Sequence, residues 1–419
     1  MSNDITDITN NAIAYLHNHS DSSNLRLLDC TVKVKDLIDR VAQMGSIGVA
    51  ITDHESLSSH ITAITHVKKQ KENNKLPKDF KLILGNEIYL VDSLEEVKDN
   101  YQSGITKFYH FILLAKDKEG HRQLRELSSL AWNNSFFTGK MERVPTIKTD
   151  LEKIIKGGHV IGSTACLGGQ LPCLTLKLID AEKQFKLNNS HKNQQRIQFY
   201  KVQIHKFITW CLQIFGKENF FIELQPSLMQ DQIDFNTRIV DIAKAYGIGT
   251  IITTDTHYLS EEDRSVHEAF LKSKEGDREV LDFYNSTYLM TVKEIISNMD
   301  YLNTRVIEDS LRNTIKISSM IEDYDLYHPV VVPRINIPEF KLQHRFKAYY
   351  DKLPYIKKFA YSQDEQNRYY LYLVENGVYE KEPINTMSTK YFESILSRIN
   401  MELGELYNIS NAINTTLSS

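Results

Sequence analysis

Between residues 12 and 258 the chain alternates short, almost wholly apolar runs with longer segments whose apolar positions recur every three or four residues. The short runs predict buried strands at Ala12–Leu16, Ile47–Thr52, Lys81–Val91, Phe108–Lys116, His159–Ser163, Phe220–Gln225 and Ile248–Thr253. The longer segments predict helices between them. Val34, Leu37, Ile38, Val41 and Met44 lie at helical spacing, with Thr31 as a candidate N-cap and Gly45 as a stop. Further helices are expected over a lysine-rich stretch near 57–75 and over Glu119–Phe137, Gln194–Phe215 and Asp231–Tyr246. Strands that alternate with helices in this way predict a parallel α/β barrel; an open doubly wound sheet is the alternative.

After residue 260 the pattern turns helical, at Glu261–Ser273, Val292–Met299 and Thr304–Glu322. Pro329, Pro333 and Pro338 then punctuate an extended connector. Residues 341–419 are helical, polar and tyrosine-rich, and the tail Asn408–Ser419 is expected to fray.

Composition narrows the class only a little. The 419 residues suffice for two or three cores, and 41% hydrophobic with 25% charged residues is ordinary for a soluble globular protein. No apolar run approaches the ~18 residues of a membrane span, and the polar N-terminus carries no secretory pattern, so a cytoplasmic site is expected. Cys30, Cys166, Cys173 and Cys211 have no disulfide-framework spacing. A net charge of −4 means that nucleic-acid binding must come from local patches or through metal ions.

The chemistry sits where strands end. Leu16-His17-Asn18-His19 closes the first run and Asp255-Thr256-His257 follows the last. In each, two metal-ligand residue types stand i, i+2, a spacing that puts both on one face of an extended chain. Ile51-Thr52 leads to Asp53-His54, Gly85-Asn86 to Glu87 and Gly162-Ser163 to Cys166, while His110 opens its apolar run. Five imidazoles, three carboxylates and one thiol exceed the needs of one tetrahedral ion. They predict two or three divalent ions, zinc, manganese or iron, with magnesium a further candidate. Such clusters suit phosphoester hydrolysis, because they acidify a water and hold attacking and leaving oxygens in line. Isolated histidines (His60, His66, His121, His159, His191, His205, His267, His328 and His344) are read as ordinary core or surface residues, and Cys173 and Cys211 as apolar filler.

These residues resemble the PHP (polymerase and histidinol phosphatase) domain, in the version at the N-terminus of bacterial DNA polymerase III alpha subunits. The resemblance rests on His17-Asn18-His19-Ser20, Leu27-Leu28-Asp29, Ile51-Thr52-Asp53-His54 and Gly85-Asn86-Glu87-Ile88-Tyr89. It continues through His110-Phe111-Ile112-Leu113-Leu114-Ala115, Cys166-Leu167-Gly168-Gly169, Phe221-Ile222-Glu223-Leu224-Gln225 and Thr254-Asp255-Thr256-His257-Tyr258-Leu259. It covers residues 12 to about 330 well and the remainder faintly. It implies a distorted (β/α)7 barrel followed by a mainly helical C-terminal region. The implied metal ligands are His17, His19, Asp29, His54, Glu87, His110, Cys166, Asp255 and His257, with Asp29, His54, Glu87 and Asp255 at the catalytic centre. Asp53 is then a supporting carboxylate. Two features depart from the family pattern: the stretch Ser22–Arg26 lengthens the loop between His19 and Asp29, and Cys30 follows Asp29 where glycine is usual.

The implied organisation is a phosphoesterase domain over 1–260, a helical extension over 261–330, and a connector with a helical Tyr/Lys-rich region over 331–419. The polymerase's Gly-Arg-Gly-Ser segment and magnesium-binding aspartates do not occur. The chain therefore resembles the front part of a polymerase alpha subunit, expected to be a split, intron-interrupted or truncated product unable to incorporate nucleotides by itself. The expected activity is metal-dependent 3′–5′ exonucleolysis of DNA, with Lys183, Lys186, Lys192, Lys201 and Lys206 as candidate strand contacts. A small-molecule phosphatase, or a metal-stabilised scaffold for a separately encoded polymerase core, are the alternatives. The expected partners are thus DNA 3′ ends and that core chain, with no membrane.

Overall fold

The computed structural model describes residues 12–25, 27–100, 108–138, 141–273, 282–328, 336–381 and 387–417. It comprises two compact units, Met1–Tyr327 and His328–Ser419. Pro329 and Pro333 of the expected connector, and Arg26 of the lengthened loop, lie outside the described residues.

The strands are β1 (Ala14–Tyr15), β2 (Gly48–Ile51), β3 (Lys81–Val91), β4 (Tyr109–Ala115), β5 (Phe136–Thr138), β6 (Met141–Arg143), β7 (Pro145–Ile147), β8 (Val160–Ser163), β9 (Phe220–Leu224) and β10 (Gly249–Ile252). Seven form a curled sheet in the order β1-β2-β3-β4-β8-β9-β10. Its two ends meet at a bridge between Asn18 and Thr256, where His19 N–H donates to the Thr256 carbonyl at 2.9 Å. The result is a distorted (β/α)7 barrel. The expectation of an all-parallel sheet is corrected at one strand: β4 runs antiparallel to both β3 and β8. Alternation of apolar residues carries no information about strand direction, but direction decides which end of a strand faces the site. Because β4 is reversed, its first residues lie where its neighbours' last residues lie, and His110 is at its start.

Strand alternation divides the barrel into two faces. Ala14, Ala50, Ile83, Ile112, Leu114, Ile161, Phe221 and Ile251 form an inner cluster, closed by Ile317 and Ile321. The intervening residues, such as Val49, Ile51, Ile88, Phe111, Leu113, Phe220 and Ile222, pack outward against the helices. Along the inner face, Ile83 leads to Glu87, Ala50 to His54, Phe221 to Glu223 and Ile251 to Asp255, each in steps of two. One end of the barrel interior is thus apolar and the other carries donors.

The apolar end is plugged by the helix Thr304–Ser319. Thr314 Oγ1 accepts the Ala14 amide at 3.3 Å, Ser310 Oγ lies 2.6 Å from Thr250 Oγ1, and Asn313 Nδ2 donates to the Thr250 carbonyl at 2.8 Å. The helix spans the gap between β1 and β10, which share no ladder among the described residues. The segment expected as an extension after 260 is therefore structural to the barrel.

Several local expectations are corrected. Lys33, not Thr31, precedes the helix Val34–Gln43, and Thr31 Oγ1 instead donates to the His257 carbonyl at 3.4 Å. The helix expected to reach Phe137 is Lys118–Asn133; Asn134 and Ser135 stop it and β5 begins. The helix Gln170–Leu187 has no counterpart among the expected elements, because Leu174, Leu176 and Leu178 alternate like a strand and obscure helical spacing. After 260 the regular helices are shorter than expected: Arg264–Lys272, Val292–Asn298 and Thr304–Ser319.

The second unit packs the helices Pro354–Ala360, Glu365–Lys381 and Thr389–Leu417 around Phe346, Ile356, Leu371, Leu396 and Leu403. Asn400 Oδ1 accepts the Tyr355 and Ile356 amides at 2.9 and 3.2 Å, which satisfies the first helix's N-terminus beside Pro354. The expected frayed tail instead continues the last helix to Leu417.

Candidate metal centre

The nine predicted ligands converge at the donor end of the barrel. Three of the turns that deliver them are left-handed at non-glycine residues: Glu55 (φ 43°) directly after His54, Ala165 (φ 56°) directly before Cys166, and Asp255 itself (φ 49°). Backbone held there costs energy and is retained where the surroundings over-determine it. The Cys166-Leu167-Gly168-Gly169 turn shows the same tightness. A Cβ on Gly168 would come within 2.9 Å of the His110 ring, and one on Gly169 within 2.2 Å of the Thr164 carbonyl oxygen.

Three sets of donors have ligand-like spacing: His17, His19 and Asp255; His19, His54 and His257; and Glu87, His110 and Cys166. In the first, His17 Nε2 and His19 Nε2 are 3.2 Å apart and Asp255 Oδ1 is 3.1 Å from each. Donors arranged tetrahedrally about a zinc-sized ion are separated by about 3.3 Å, so the triangle fits one. Glu87 lies between sets: Oε1 is 2.8 Å from His110 Nδ1 and Oε2 is 2.5 Å from His54 Nδ1 and 3.4 Å from His19 Nε2. Cys166 Sγ is 3.5 Å from His110 Nδ1. Asp29 Oδ2 faces His54 Nε2 at 3.3 Å and His257 Nε2 at 3.4 Å.

Hydrogen bonding does not account for this crowding. Asp29 Oδ1 is buried and makes no hydrogen bond, while His54 Nδ1 and Glu87 Oε2 are answered by each other, as an ion pair 2.5 Å apart. A buried carboxylate oxygen left so is costly, and a cation beside Asp29 would satisfy it. The donor set is borderline to hard, which suits zinc, manganese or iron. The residues fit a multi-ion centre.

The electrostatics agree. Burial opposes the protonation of His17 and His54, but Asp255 and Glu223 hold His17 well above its ordinary pKa, and Asp29 and Glu87 hold His54 up at about 10. Burial with the neighbouring His54 and His257 pushes His19 down to about 3. Against their own burial, Glu87 and Asp255 are held well below the usual carboxylate range, Glu87 by His110 and His54, Asp255 by His17 and His257. Carboxylates kept ionised against burial need compensating positive charge, which protons supply on histidines and cations can supply instead.

A surrounding layer orients the ligands. Glu223 Oε1 accepts from His17 Nδ1 at 2.7 Å while Ser163 Oγ donates to Glu223 Oε2 at 3.1 Å. His257 Nδ1 is 2.7 Å from the Asp255 carbonyl, which turns Nε2 inward. Asp53 accepts from Ser20, Ser23 and Ser59 and ties the first loop together, the supporting role expected of it. Glu223 is absent from the predicted site residues; its one sequence signal is an acid inside the apolar strand Phe221-Ile222-Glu223-Leu224.

Asp29, whose loop is lengthened, is buried with the rest. It is held from the segment after the barrel: His267 Nε2 lies 2.5 Å from the Asp29 carbonyl and Tyr284 Oη donates to Asp29 Oδ2 at 3.4 Å. His267, read as an ordinary core histidine, therefore borders the centre. Four other isolated histidines find partners of their own: His60 pairs with His121 at 3.0 Å, His66 with Asp39 and His159 with Asp117, both at 2.7 Å. Of the candidate strand-contact lysines, Lys183 is paired with Asp234 at 2.7 Å.

The PHP domain profile matches residues 15–227. The chain is 50% identical over 405 residues, 96% of its length, to "Probable DNA polymerase YorL" of Bacillus subtilis (strain 168) and to the "DNA-directed DNA polymerase" of Bacillus phage SPbeta. It is 27% identical over 332 residues, 77% of its length, to the "DNA polymerase III subunit alpha" of Borreliella burgdorferi. The chain spans 30% of the length of the first two relatives and 25% of the third. Among the described residues no helix is long and apolar enough to cross a membrane.

Proposed function

From the premise that this chain belongs to the PHP domain family, we propose that its barrel is a metal-dependent phosphodiesterase that removes nucleotides from DNA 3′ ends, in association with a polymerase. The observation that carries this reading is the convergence of nine donors, with one buried carboxylate oxygen of Asp29 lacking any hydrogen bond, at one end of the barrel. His17, His19, Asp29, His54, Glu87, His110, Cys166, Asp255 and His257 would hold the ions, and Asp29, His54, Glu87 and Asp255 would serve as the catalytic residues.

Bound divalent ions supply charge for the phosphoryl oxygens and acidify the attacking water. The chain's own residues do the rest. Glu223 holds His17, and the Asp255 carbonyl holds His257, each with Nε2 turned inward. The inner apolar plug keeps water out from below, which strengthens every charge interaction above it. The polymerase relatives favour DNA over a small phosphate ester as substrate.

Elemental analysis of the purified chain should find more than one ion per molecule, and a metal-loaded sample should release nucleotides from 3′-labelled but not 5′-labelled DNA. Release of phosphate from small monoesters alone would favour a phosphatase. Bound metal with no hydrolysis would favour a metal-stabilised scaffold for a separate polymerase core, a reading that the deep burial of the donors also supports.

A further inference from the structure

The nine ligands differ in exposure. Eight of the nine ligands are at most 6% exposed, whereas the His110 side chain is 23% exposed. His110 is thus the ligand most open to solvent.

What flanks His110 is an aromatic and cationic cluster. Phe108 stands two residues before it, on the same face of the extended chain as β4 begins. The Phe108 ring lies 6.4 Å from that of Phe136, on the β5–β6 hairpin. The Arg143 guanidinium sits 5.2 Å from the Phe108 centroid, and Lys98 Nζ 5.5 Å from that of Phe136. Phe136 and Arg143 are register partners, so both project from one face of the hairpin. Phe137 and Glu142 take the other, where Glu142 accepts from Ser135 Oγ at 2.8 Å.

The hairpin is anchored to the centre on both sides. Before it, Trp132 Nε1 donates to the carbonyl of Glu55, the residue after His54, at 2.8 Å. After it, Pro145 in β7 pairs with Tyr89, whose ring is 4.9 Å from His110 and 5.9 Å from His54. The cluster is thus fixed at the open rim.

We infer that Phe108, Phe136, Arg143 and Lys98 form the platform on which a single-stranded DNA end lies as it approaches the ligands past His110. Apolar rings take bases without regard to sequence and the two cations take phosphates, the combination single strands require. This extends the phosphodiesterase reading by naming how its substrate arrives, and rests on it for the identity of that substrate.

The test is fluorescence anisotropy of the full, metal-loaded chain with a labelled 12-residue oligo-dT. Arg143→Ala and Phe136→Ala should each weaken binding about tenfold, with metal content and melting temperature held. Lys98→Glu, on an exposed helix and so without risk to the fold, should weaken it several-fold. Arg143→Ala should also flatten the salt dependence by about 0.7 in log–log slope for its lost phosphate. Variants that bind as the parent does, or a parent that does not bind, overturn the platform. Hydrolysis of bis-p-nitrophenyl phosphate by the metal-loaded parent judges the phosphodiesterase reading separately, because so small a diester makes no use of the hairpin.

Discussion

Two groups of buried histidines lie within one barrel, and they differ in what meets their nitrogens. His60 uses both: Nδ1 is 3.0 Å from His121 Nε2, and Nε2 is 3.0 Å from the Gly85 carbonyl. No carboxylate takes part, and burial pushes His60 down to about 3 and His121 down to about 4, so both are neutral. At the other group, three carboxylates face five imidazoles, Glu87 and Asp255 are held ionised, and Asp29 Oδ1 makes no hydrogen bond. His121 Nδ1 makes no hydrogen bond either, but a neutral pair with no carboxylate beside it traps no negative charge for a cation to answer. A group that leaves donors unsatisfied around trapped negative charge is a place for cations.

The largest effect that could break this contrast comes from Glu87→Ala. It removes the carboxylate between three imidazoles, and should strip most of the bound metal, lower the melting temperature and reduce nuclease turnover on the order of a hundredfold or more. Asp29→Asn should cost turnover similarly while leaving the fold intact. Either variant with full metal content and parental activity would mean that the crowding is structural.

A smaller effect is expected one layer out. His267→Phe keeps a ring against Tyr258 but withdraws the nitrogen beside the Asp29 carbonyl, and should weaken manganese binding on the order of tenfold by titration calorimetry. His267→Gln, which can still donate, should recover part of that loss. If glutamine and phenylalanine behave alike, His267 serves only packing.

The smallest effect belongs to the neutral pair. The unfolded chain protonates His60 and His121 near pH 6.5, but the folded chain does so only near 3 and 4. Their contribution to stability is therefore complete above pH 6.5 and declines as pH falls towards 4, by up to about 1.4 kcal/mol per pH unit for each. Urea unfolding of the parent and of His60→Gln/His121→Phe should show the parent's advantage at pH 7 narrowing by pH 4.5, with metal content equal in both. An advantage that widens in acid would show that the pair is charged in the fold.

Much of this was legible in the chain. Donors that follow apolar strands, as at His17, His54, Glu87 and Asp255, stand out because a strand's inner face has nowhere else to end. His110 breaks that rule by opening its run, and the reversed strand β4 explains why. What was not legible depends on partners distant in sequence. Glu223 means nothing until His17 is beside it, and His267 nothing until Asp29 is, 238 residues away. Phe136 and Phe137 of the rim hairpin fall within the predicted helix Glu119–Phe137, because aromatic residues serve either state and only Asn134 and Ser135 mark the stop.

The plug helix carries a consequence in time. Thr314, which receives the amide of Ala14, is 300 residues downstream of it. At ribosomal rates of ~5–20 residues per second, the first strand waits on the order of fifteen to sixty seconds for the helix that closes the barrel beneath it. Through that interval His17 and His19 are already made, while Asp255 and His257 are among the last donors to arrive. The donor set is complete only once His257 is made, and the barrel closes beneath it only once Thr314 has followed.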